Sequence, residues 1–143
     1  GEKAMFTIYK TDDGRNMPLE YLPCGAIQPK IGLALTQTAG NLAIASGTTR
    51  PTYICMTERA AAVTAGELIP VVRVGEDVIW ETVAQAAFTS VKQGDKVTIH
   101  TDGLQVTATT TGGVAEVIDF DGTEAGSRVL VRFPAAAAAG VGG

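Results

Sequence analysis

The chain has 143 residues, with eleven basic and fifteen acidic side chains for a net charge of −4, and 45% apolar but only 6% aromatic content. That is enough for one core of ordinary size, built from Val, Ile, Leu and Ala rather than rings. An acidic chain without a Lys/Arg cluster is a poor match for a phosphate backbone, and no apolar run approaches the about 20 residues of a membrane helix, so neither nucleic acid nor membrane is an expected partner.

In chain order, residues 1–24 stand apart. Phe6-Thr7-Ile8-Tyr9 suits one short strand and Asp12-Asp13-Gly14 a turn, while Pro18 and Pro23 discourage regular structure. The segment reads as an extended N-terminal arm. A body follows over 25–133. Gly32–Thr48 (GLALTQTAGNLAIASGT) alternates apolar and polar residues, breaks at Thr38-Ala39-Gly40-Asn41 and resumes, which predicts a hairpin whose first strand spans Ala26–Leu35. Tyr53–Met56 reads as a buried strand, and Glu58–Val63 as a loop with at most a helical turn. Glu67–Val74 is a strand that Pro70 marks as an edge or a bulge. Val78–Val83 carries the single tryptophan, Trp80.

Lys96–Gly112 (KVTIHTDGLQVTATTTG) repeats the hairpin pattern around Thr101-Asp102-Gly103. Val114–Phe120 and Ser127–Phe133 are the last strands. In the second, Val129, Val131 and Phe133 share one face and Arg128, Leu130 and Arg132 the other. Residues 134–143, rich in Ala and Gly, read as a flexible tail. Seven or eight short strands with turns every 8–12 residues predict an all-β fold, a small barrel or sandwich of antiparallel strands with at most short helical turns.

Reactive constellations are sparse. His100 follows Val97 and Ile99, whose core-facing phase sends it outward with Thr98. Cys24 and Cys55 lack a CxxC partner, and with one histidine they do not compose an ordinary zinc site; they read as reduced, buried thiols. Asp119, Asp121 and Glu124 surround Gly122 without the ligand spacing of a calcium loop, which suits a polar turn. Arg128 and Arg132 form either a solvated stripe or a surface for an acidic partner. No phosphate loop or dinucleotide fingerprint occurs. The expectation is a protein that is not an enzyme and needs no cofactor or metal. The N-terminus shows no basic segment before an apolar run, so the chain is expected to be made in a cytoplasm.

From Lys30 to Val74 the order is a hairpin, then G-T-T-R-P-T-Y-I (Gly47–Ile54), an Ala/Gly link, and G-E-L-I-P-V (Gly66–Val71); it continues through Val91–Gly113 and Ala115-Glu116-Val117. Over roughly residues 25–133 this resembles the capsid decoration proteins, also called head-stabilising or cement proteins, of tailed bacteriophages and prophages, in the style of the lambda-like group. The resemblance implies a small β-barrel or β-tulip on the outer surface of an expanded head, a major capsid protein as partner and homotrimeric association. It implies no catalytic, cofactor or metal residue. It also implies capsid contact through the N-terminal segment, with Phe6, Ile8, Tyr9, Tyr21 and Leu22 as candidates. Two other readings stay open: another virion part, such as a head-fibre base or tail component, and a soluble ligand-binding β-barrel. The scarcity of aromatics argues against the latter, whose pocket rings would line.

Overall fold

The computed structural model describes residues 4–14 and 16–135. Among them are ten strands and no helix: β1 (Thr7–Thr11), β2 (Leu19–Pro23), β3 (Ala34–Thr38), β4 (Asn41–Ile44), β5 (Tyr53–Cys55), β6 (Leu68–Arg73), β7 (Val78–Val83), β8 (Lys96–Val97), β9 (Ala115–Phe120) and β10 (Arg128–Arg132). They form two antiparallel five-stranded sheets, ordered β1-β7-β10-β9-β8 and β2-β6-β5-β3-β4. The all-β expectation holds, and the sheets stack as a sandwich rather than closing into a barrel. A parallel bridge, Cys24 to Leu42, draws the end of β2 toward β4, where the Gly25 N–H donates to the Leu42 carbonyl at 2.9 Å.

The main core lies between the sheets. The second sheet contributes Ala34, Ile54 and Val72; the first contributes Val78, Trp80, Val117, Val129 and Val131. The alternation seen in the last strand places Val129, Val131 and Phe133 inside as expected. A second core occupies the other face of the second sheet. Tyr53 and Cys55 point into it while Ile54, between them, points into the first, so β5 is buried on both faces. Leu33, Val63, Ile27 and Leu104, from the connecting segments, cover this second core.

The segment read as an extended arm is built into the body. β1 pairs with β7, with an irregularity between Ile8 and Lys10, and β2 pairs with β6 along its whole length. The local discouragement from Pro18 and Pro23 is overridden by ladder partners about fifty or more residues away in sequence. Phe6 anchors the segment. It is buried, meets Phe133 edge to face with centroids 5.5 Å apart, and its N–H donates to the Gly32 carbonyl at 2.9 Å. Gly32, at φ 86°, lies so close that a Cβ there would sit 2.5 Å from Met5 Cβ and 2.8 Å from the Phe6 nitrogen.

Two further expectations change. The first hairpin strand begins at Ala34, not Ala26, because 24–33 is spent covering the second core. Pro70 lies in a central strand, since β6 runs between β2 and β5. It is tolerated because Cys55, the last residue of β5, is opposite Val71, so Pro70 lies one residue past the end of β5. Its carbonyl accepts from Met56 N–H at 3.0 Å. In an antiparallel pair a residue's N–H and C=O point to the same neighbour, so the missing donor faces the place where β5 has stopped.

The exit of β10 is also fixed. Arg50 donates to the carbonyls of Phe133 and Pro134, each at 2.8 Å, and Ala135 N–H donates to Glu76 Oε1 at 3.0 Å. The tail from residue 136 onward lies outside the described residues.

Candidate functional site

The most distinctive surface is apolar and belongs to β2 and β6. Their register sets Leu19 opposite Val72, Tyr21 opposite Pro70 and Pro23 opposite Leu68. Residues directly opposite share a face of the sheet, so these six lie together. Val72 is in the inter-sheet core, whereas Leu68 is 56%, Tyr21 62% and Leu19 50% exposed. The face that packs on the first sheet therefore continues beyond its cover into solvent. Met56 extends it: two residues beyond core-facing Ile54 and bonded to Pro70, it is 39% exposed. This clustered, uncharged surface is the candidate contact site.

No family model matches the chain, and no curated protein matches it significantly. Of the five positions that the sequence proposed for contact, only Tyr21 lies on the apolar face. Phe6 is a core residue and has no surface to offer. Ile8 and Tyr9 are exposed on β1, in the other sheet, and Leu22 leans into the second core. Leu19, Leu68 and Met56 were missed. The alternation Leu19-x-Tyr21-x-Pro23 was a usable signal, but joining it to Leu68-x-Pro70 required the β2–β6 register.

The arginine stripe of β10 has its own carboxylates. Arg128 meets Glu81 at 3.1 Å and Asp121 at 3.2 Å and lies over the Tyr9 ring, and Arg132 meets Asp12 at 2.8 Å. Hydrogen bonding to Glu81 raises the pKa of Arg128, and hydrogen bonding to Asp12 that of Arg132. On the face of the second sheet opposite the apolar surface, Glu20 accepts two hydrogen bonds from Arg73, and Arg59 pairs with Glu67.

The groups singled out for chemistry have structural partners. Asp119 accepts from Gln93 Nε2 at 3.2 Å and from Phe120 N–H at 2.9 Å, while Asp121 faces Arg128, so the acidic cluster is split. Among the described residues no group of three His, Cys, Asp or Glu side chains is placed to hold a metal ion. His100 is half-buried in the second hairpin, its N–H donating to the Gln105 carbonyl at 2.8 Å. Thr98, expected outside, is buried because the hairpin folds back and brings Thr107 Oγ1 within 2.7 Å of its hydroxyl. Cys24 and Cys55 are free, buried thiols. Burial raises the pKa of both, aided at Cys24 by Cys55 and Glu67 and offset at Cys55 by a hydrogen bond with the Thr57 carbonyl. Such thiols are protonated and shielded, the opposite of an activated nucleophile. No helix is long and apolar enough to cross a membrane among the described residues.

Proposed function

We propose that this chain is a non-catalytic capsid decoration protein of a tailed bacteriophage or prophage, seated on the outer surface of the expanded head. Its partner is the major capsid protein, its copies associate as homotrimers, and it is made in the host cytoplasm before joining the virion. The observation that carries the reading is the exposed apolar face of Leu19, Tyr21, Leu68 and Met56, on a body whose β10 arginines are already paired within the chain. The resemblance over residues 25–133 supplies the class of partner.

The contact here is a folded face rather than a free arm, since Phe6 and β1 are occupied within the body. Binding works by mass action: a protein that binds only the assembled, expanded lattice stabilises that lattice relative to every other state. Each apolar face is small, so a single contact is weak. Joining three in one assembly makes later contacts intramolecular and multiplies the affinity. The shell then resists the pressure of its packaged DNA without any bond being made or broken.

The test is the double variant Tyr21→Glu/Leu68→Glu, incubated with expanded empty heads assembled from the capsid protein encoded beside this chain. Both side chains project into solvent, so thermal unfolding should be nearly unchanged while co-sedimentation with heads falls at least tenfold. A folded double variant that sediments as well as the parent overturns the assignment of this face. Failure of the parent chain itself to bind the heads overturns the decoration reading.

A further inference from the structure

We draw no further inference here: the strongest candidate, the outer edge of β2 beside the apolar face, belongs to the site already described, and nothing in the structure shows what covers it.

Discussion

Ala39 is the one non-glycine residue with a positive φ, 51°, among the described residues, and Gly40 follows at 86°. Two successive left-handed residues between Thr38 and Asn41 make the tight turn whose twist matches a two-residue hairpin, where Asn-Gly is the favoured pair. Alanine has no side-chain hydrogen bond to offset the left-handed strain, which costs about 1–2 kcal/mol. Ala39→Asn should therefore stabilise the fold by about 0.5–1 kcal/mol, read as a higher urea midpoint with unchanged slope. At the two cysteines the sign also follows from burial. Their folded pKa lies above the ordinary 9.0, so the unfolded chain ionises first as pH rises. Their contribution is fully present below pH 9 and is lost above it, so urea midpoints measured from pH 8 to 10.5 should fall through the upper part of that range. Replacing both with alanine should flatten that part of the profile. Neither thiol should react with an aromatic disulfide reagent at pH 8 until the chain is unfolded.

At the scale of elements, the N-terminal strand is held chiefly by one plug. β1 is an edge strand with a broken ladder, and the residue just before it, Phe6, is seated against Phe133 and Gly32. Gly32→Ala meets both a left-handed φ and a backbone collision at Phe6, so it should cost more than about 1 kcal/mol. Amide exchange over residues 7–11 should accelerate first, ahead of β6, if β1 is the element displaced. The same region shows what sequence could and could not reveal. β9 and β10 were legible because a two-residue period survives in a strand that turns one apolar face to the core. Membership of β1 and β2 in the sheets was not, because Pro18 and Pro23 are local signals while the pairings that override them come from β7 and β6. Pro70 misled for a related reason: the length of β5, which decides whether its missing donor matters, is not written near Pro70. For the candidate face, the exposed alternation in β2 could be read, but its neighbours Leu68 and Met56 are separated from it by dozens of residues.

On the scale of the whole molecule, stability depends on the inter-sheet core with Trp80 near its centre. Trp80 is fully buried and stands opposite Ile8 on one side and Val131 on the other, so it joins β1, β7 and β10. Trp80→Ala should cost about 3–5 kcal/mol, as large-to-small changes in close-packed cores do, measured by equilibrium urea unfolding. The second core, roofed by connecting segments, lets the second sheet be dry on both faces over part of its area, while the exposed apolar face runs along β2 and β6 from Leu19 to Leu68. The opposite end of β6 leads into the turn bearing Glu76, where Ala135 is tied down. Leu68 begins β6 and Arg73 ends it, five positions on, which at strand spacing is roughly 17 Å. Foreign cargo spliced after Ala135 would thus emerge remote from Leu68 and closer to Leu19, which stands opposite Val72, so a displayed passenger leaves the Leu68 end of the docking surface unobstructed.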